Sequence, residues 1–345
     1  MSFGELSMAL AKDPSGAAAN EMELTENGKL SQKGRGYQLG TDLIAAVDVA
    51  LALGRPLLVA GEPGCGKTEL GYAVARRLGI ERLLLHTVKS SSDAGELFYT
   101  YDALQRFRDS QLGQAKTPDA PEPTQIDVGD YVEFQALGRA ILDAHEYDEI
   151  AHMLRGKHRK NQPPRPPRRS VVVIDEIDKA PRDFPNDLLH EIEALRFRVR
   201  EFPAESSSET PPGDAIPAHL RPVVIITSNE ERQLPDAFLR RCVFHEIPFP
   251  DAQTLSAIIA SGLGARLARM GWKGGEPPAL DPDRTDGLVN LLTRFRERDP
   301  DKKPGIAEML DAAALLFISG DAELSVVRPA VAKLKRDANL FNDSL

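Results

Sequence analysis

From Thr41 to Pro250, short apolar runs alternate with helical periodicities. In TDLIAAVDVALALG the residues Leu43, Ile44, Val47, Leu51 and Leu53 recur mostly at three and four positions. That spacing predicts a helix that Thr41 or Asp42 caps and Gly54 ends. Pro56 opens LLVA (57–60), which suits a buried strand, and ELGYAVARRLG (69–79) returns to the helical period. RLLLHTV (82–88), VVVI (171–174), VVIIT (223–227) and VFHEI (243–247) complete a set of five strand candidates. Four of the five are continuous apolar runs, the pattern of strands covered on both faces. Strands of that kind separated by helices predict a parallel sheet between helical layers. After Pro250 only helical patterns remain, so an all-α domain is expected to begin near Asp251. Residues 1–36, rich in Gly, Ala, Ser and Asn, read as a flexible arm, and 158–170 and 202–222 as exposed loops. No internal repeat is visible.

Composition narrows the class. A length of 345 residues suits roughly two domains of ~150 residues, and 41% apolar content supports a sizeable core. The net charge of −9 provides no global electrostatic footprint for nucleic acid. Two cysteines, Cys65 and Cys242, cannot make a disulfide framework. The opening MSFGELSMALAKDPSG lacks a signal-peptide pattern, and no apolar run approaches the ~20 residues of a membrane span. A cytoplasmic protein is expected.

The strongest chemical signal is GEPGCGKT, Gly61 to Thr68, which meets G-x-x-x-x-G-K-[ST] at every fixed position between a strand and a helix. Gly61, Gly64 and Gly66 let backbone N–H groups turn toward phosphate oxygens, with Glu62, Pro63 and Cys65 between them and Glu69 just beyond. Lys67 supplies a cation to the β- and γ-phosphates, and the Thr68 hydroxyl is a ligand for Mg²⁺. The second signal is VVVIDEIDKAP, whose apolar run delivers Asp175 and Glu176 to a strand's C-terminal end. Asp175 would hold Mg²⁺ through its water shell, while Glu176 would polarise an attacking water. A second carboxylate favours hydrolysis of ATP over a kinase or a simple switch.

The third signal is VVIITSNEERQLPDAFLRRC, a strand ending at Thr227, Ser228 and Asn229, then the arginine pair Arg240 and Arg241. With these elements in this order, the chain resembles AAA+ ATPases from about Tyr37 to Ile318, within them the MoxR-like group of the helix-2-insert clade. GEPGCGKT corresponds to Walker A, VVVIDEIDKAP to Walker B and IITSN to sensor 1, with Asn229 helping to position the water. LPDAFLRRC corresponds to the arginine-finger segment, with Arg241 as first choice and Arg240 as second. The resemblance implies a P-loop NTPase αβα core over 37–250 and a helical lid over 251–345. It further implies a helix-2 insert near 90–140 and a pre-sensor 1 insert near 196–222. Ala307 stands near the place of a sensor 2 arginine, which leaves Lys302 or Lys303 to reach the phosphate.

The resemblance also implies a self-assembled ring, commonly a hexamer, because the finger must come from the next subunit. Its work would be chaperone-like remodelling or activation of a client protein, often one with a von Willebrand factor A domain. A nucleic-acid-dependent motor or restriction subunit is the alternative, disfavoured by the acidic charge, and a regulatory ATP switch or scaffold is another. The cations Arg155, Lys157, Arg159, Lys160, Arg165, Arg168 and Arg169 read as a solvated loop, or else as a surface for an acidic partner. The histidines show no zinc spacing. Cys65 lies at a helix N-terminus, a setting expected to lower its thiol pKa; redox control of ATP binding is one reading, and a small side chain tolerated at a variable position is the favoured one.

Overall fold

The computed structural model describes residues 24–27, 29–31, 33–34, 37, 39–114, 127–203, 208–272, 280–320 and 323–345, without the side chains of 112–114, 189 and 190. Nine strands are described: β1 (Leu24–Glu26), β2 (Lys29–Ser31), β3 (Leu57–Ala60), β4 (Arg82–Thr87), β5 (Tyr99–Tyr101), β6 (Val132–Phe134), β7 (Val171–Asp175), β8 (Val223–Ser228) and β9 (Val243–Glu246). Seven form one sheet in the order β2-β1-β4-β7-β8-β3-β9. The pairs β1/β4, β4/β7, β7/β8 and β8/β3 are parallel, and β1/β2 is antiparallel. All five expected strands are present. The first four residues of β7 and the whole of β3 and β8 are buried, as their continuous apolar runs require. β9 alternates between half-buried and exposed residues because it lies at the sheet's edge.

The expected arm needs correction. β1 and β2 pair antiparallel and extend the sheet beyond β4. Asn27, just after β1, has φ 48°, accepts from Leu85 N–H at 3.1 Å and donates to the Leu85 carbonyl at 3.3 Å. Arg76 holds the following segment through the carbonyls of Ser31 (2.6 Å) and Lys33 (2.9 Å). Strands of three residues are too short for a period to show. Residues 1–23, 115–126 and 204–207 of the expected arm and inserts lie outside the described residues.

Between β4 and β7, β5 and β6 pair as a separate hairpin. Phe98 stacks on Phe197 at 5.4 Å between ring centroids, and Phe134 meets the same ring edge to face at 6.0 Å. Phe202 and Ile216 are buried as well, so 202–222 is not wholly the exposed loop expected. The basic stretch 155–169 is likewise tied down. Asp143, nearly buried, pairs with Arg82, Arg165 and Arg168, while Arg155 pairs with Asp127 and Lys157 with Glu133. A largely desolvated carboxylate with several guanidinium partners pins the strap leading into β7.

The chain separates into two compact units. One contains the sheet and most of residues 39–60 and 71–245; the other joins 61–70 to 246–345. That grouping is not linear, unlike the expected division at 250. In the second unit, Leu255, Ile259, Leu263 and Leu267 recur at four-residue spacing and pack with Leu288, Leu292 and Phe295. Phe295 meets Phe341 edge to face at 5.5 Å. Among the described residues, no helix is long and apolar enough to cross a membrane.

Candidate functional site

The parallel register sends three chain segments off one edge of the sheet. Ala60 lies level with Ser228 and Thr87 with Asp175, so Gly61, Glu176 and Asn229 each follow a strand at its C-terminal end. Ligand crevices in open α/β sheets form at that edge.

At Glu176 the backbone is left-handed, with φ 63°. A non-glycine residue pays roughly 1–2 kcal/mol for that conformation, and hydrogen bonds offset the cost here. Glu176 N–H donates to Thr227 Oγ1 at 2.9 Å, and the same hydroxyl donates to Asp175 Oδ1 at 2.6 Å. Thr227 thus links both carboxylate residues to β8. Lys179 Nζ lies 2.7 Å from Glu176 Oε2, and this hydrogen bond to Glu176 raises the Lys179 pKa. Asp178 is buried, and its two oxygens accept from the N–H groups of Asn229 (3.2 Å) and Glu231 (3.1 Å). It therefore sets the path of the segment that carries Asn229. Asp178→Ala is expected to destabilise the fold by about 1.5–3 kcal/mol, the usual worth of bonds to a charged acceptor. Thermal unfolding checks the loss, and steady-state ATPase kinetics should show kcat falling more than KM.

Further along, Arg241 Nε pairs with Glu193 Oε1 at 3.1 Å, both side chains about half exposed. Arg240 is exposed and pairs with no carboxylate among the described residues.

In the second unit the loop Gly61–Lys67 is drawn tight. Gly61 has φ 150°, and a Cβ there would stand 2.6 Å from the Ile247 carbonyl oxygen. Gly66 has φ 96° and faces the Tyr37 ring, 3.2 Å from where a Cβ would be. Ile306 N–H donates to the Gly64 carbonyl at 3.0 Å. Lys67 is buried, and its ammonium donates to the carbonyls of Gly61 and Glu62, both at 2.8 Å. Burial raises the Tyr37 phenol pKa well above its usual value, with Cys65 and Glu69 adding to the effect.

One expectation changes here. Cys65 is buried, and desolvation raises its thiol pKa despite the opposing charge of Lys67. A helix N-terminus cannot make a reactive thiolate where the charged form is excluded from water. Lys303 pairs with Asp299 at 3.2 Å and Lys302 is exposed. Arg296 reaches the loop, pairing with Glu62 while its guanidinium lies 3.5 Å over the Phe249 ring. It also donates to the Pro304 carbonyl at 2.6 Å.

A model of the ATPase family associated with various cellular activities (AAA) matches residues 57–250, more than half of the chain. The chain belongs to the AAA ATPase family. No curated protein matches it. Solved structures that match the chain include C. elegans PCH-2, at 15% identity over 87% of this chain and 65% of that one, TM-score 0.37. The Thermotoga maritima RuvB Holliday junction branch migration motor is 13% identical over 85% of this chain and 68% of that one, TM-score 0.39. This AAA ATPase thus spans just under two thirds of the PCH-2 chain. At such identities and scores neither likeness bears on activity.

For an AAA ATPase the donor chemistry of Thr68 and Asp175, a hydroxyl and a carboxylate, fits Mg²⁺, which takes hard oxygen ligands. Among the described residues, no group of three or more His, Cys, Asp or Glu could hold a metal. Mg²⁺ held by one or two protein oxygens with phosphates and water needs none. Sequence reading missed Thr227 as a linker, Asp178, Tyr37 and Arg296. Asp178 lies inside the recognised acidic segment, so its register beside β8 was the available signal. Arg296, within the charged stretch TRFRER, resembles any solvated helical arginine.

Proposed function

We propose that this AAA ATPase hydrolyses ATP and couples hydrolysis, in a ring of identical subunits, to remodelling a client protein in the manner of the MoxR-like group. The observation that carries the reading is the Thr227 hydroxyl, which ties Asp175 and Glu176 together at the sheet edge from which the 61–68 loop departs. The loop's N–H groups and Lys67 bind the phosphates. Thr68, and Asp175 through the ion's water shell, would hold Mg²⁺, which would supply positive charge to the phosphates when bound. Glu176 takes up the proton of the attacking water, and Asn229 orients that water. A free Glu176 carboxylate requires release from Lys179, so the ion pair is a natural brake on idle turnover. ATPase assays with and without DNA test the reading against a nucleic-acid motor. Hydrolysis that depends on DNA would overturn it.

An arginine from the adjoining subunit completes the site. The Arg241–Glu193 pair is half exposed, where such pairs are worth about 0–1 kcal/mol, so releasing Arg241 costs little. Arg241→Ala is expected to preserve ATP binding and slow hydrolysis by about 10³–10⁵, the range measured for such fingers. Mixing it with Lys67→Ala subunits should restore part of the activity, since an intact Lys67 then faces an intact Arg241. Arg240→Ala in parallel assigns the role between the neighbours. Wild-type rates in both variants would dispose of the shared site.

A further inference from the structure

The opposite edge of the same sheet holds a cavity of about 130 Å³, at the N-terminal ends of β3 and β8. At about 3.3 Å per residue, the four to six residues of these strands separate it from the Gly61 edge by roughly 13–20 Å. Val47, Leu51 and Ile192 contribute apolar wall, and Arg55, Arg169 and Arg221 also line it. The volume is close to that of an engineered apolar cavity of about 150 Å³ that accepts benzene.

The three arginines make this cavity unlike a packing defect. Arg169 Nε donates to the Arg221 carbonyl at 2.8 Å, and Arg221 Nε to the Ile216 carbonyl at 3.3 Å. Among the described residues, neither they nor Arg55 pairs with a carboxylate, although the chain carries a net charge of −9. Elsewhere in this unit the contrast is plain, since Arg82, Arg165 and Arg168 all converge on Asp143. Arg169 is half-buried, and that partial burial lowers its pKa with no neighbouring acid to counter it. Desolvating a guanidinium without an anion is costly, and a planar carboxylate matches its paired donors. The wall next to these groups is apolar. A fully hydrated anion gains nothing from such a wall, whereas the hydrocarbon part of an organic acid does.

We propose that this cavity binds a carboxylate carried on a short apolar stem of about benzene size, the acid meeting Arg55, Arg169 and Arg221 and the stem filling the space beside Val47, Leu51 and Ile192. The same chemistry is offered by a free small organic acid and by the C-terminal residue of a partner polypeptide. The site is separate from the nucleotide edge, and its occupancy is measured without nucleotide.

Isothermal titration of the full chain with benzoate tests it, with benzyl alcohol as the uncharged control. An acetylated Gly-Gly-Phe peptide with a free C-terminus, and its amide, form the second arm. Saturable binding of a carboxylate is expected, with neither the alcohol nor the amide binding. Arg55→Gln and Arg169→Gln should each weaken it by about tenfold or more, as loss of a charge-assisted hydrogen bond implies. Tighter binding of the peptide would assign the site to a partner's terminus, and tighter binding of benzoate to a free acid. Arg55 is exposed, so its variant keeps the test valid if Arg169→Gln fails to fold. The proposal is overturned if neither carboxylate saturates, if Arg55→Gln binds as wild type does, or if inorganic phosphate binds as tightly as benzoate.

Discussion

Lys67→Ala is expected to abolish ATP binding. The Lys67 ammonium is buried and donates to the carbonyls of Gly61 and Glu62, so it is held within the loop it serves. Phosphates offer this cation a stronger partner than two neutral carbonyls. Alanine removes the loop's cation and leaves those carbonyls without their donor. Nucleotide affinity should fall below detection in a fluorescent-nucleotide titration, while the sheet, whose strands make no use of Lys67, stays folded by circular dichroism. Retention of affinity within a few-fold of wild type would show that phosphate binding lies elsewhere. The loop's tightness at Gly61, where a Cβ would collide with the Ile247 carbonyl, makes substitution of that glycine a poorer test. It would disturb backbone and charge together.

Glu176→Gln is expected to separate binding from chemistry. The left-handed backbone at this position is supported by the N–H bond to Thr227, which glutamine retains. What it loses is the carboxylate that accepts the water proton, and with it the ion pair to Lys179. General-base contributions of this kind are worth about 10²–10⁴ in rate. ATP affinity should remain within a few-fold of wild type while turnover falls by that factor in a coupled assay. The variant should also hold ATP long enough to retain a client, so proteins recovered with it and released by nucleotide removal identify the load. Near-wild-type turnover would take the catalytic role away from Glu176.

Much of the core was legible because its signals are local. A strand buried on both faces must be apolar at every position, so VVVI and VVIIT announce themselves within a few residues. A phosphate loop needs its glycines, lysine and hydroxyl at fixed spacing along one turn of chain, so GEPGCGKT is readable without knowing what surrounds it. The acidic pair after β7 is equally contiguous. VFHEI was readable too, although as an edge strand it needs cover on only one face.

Other features exist only where distant segments meet. The β1/β2 pair gains its place by pairing with β4, more than fifty residues away, and three-residue strands carry no period of their own. Asp178 acts on Asn229 only because β7 and β8 are neighbours in the sheet. Arg296 meets Glu62 across more than two hundred residues. Cys65 shows the same division in its chemistry. Its helix-terminal position, visible in the sequence, favours the thiolate. Tertiary burial penalises the charged form more strongly, and burial is a property of all the atoms packed around a group, which no single stretch of residues encodes.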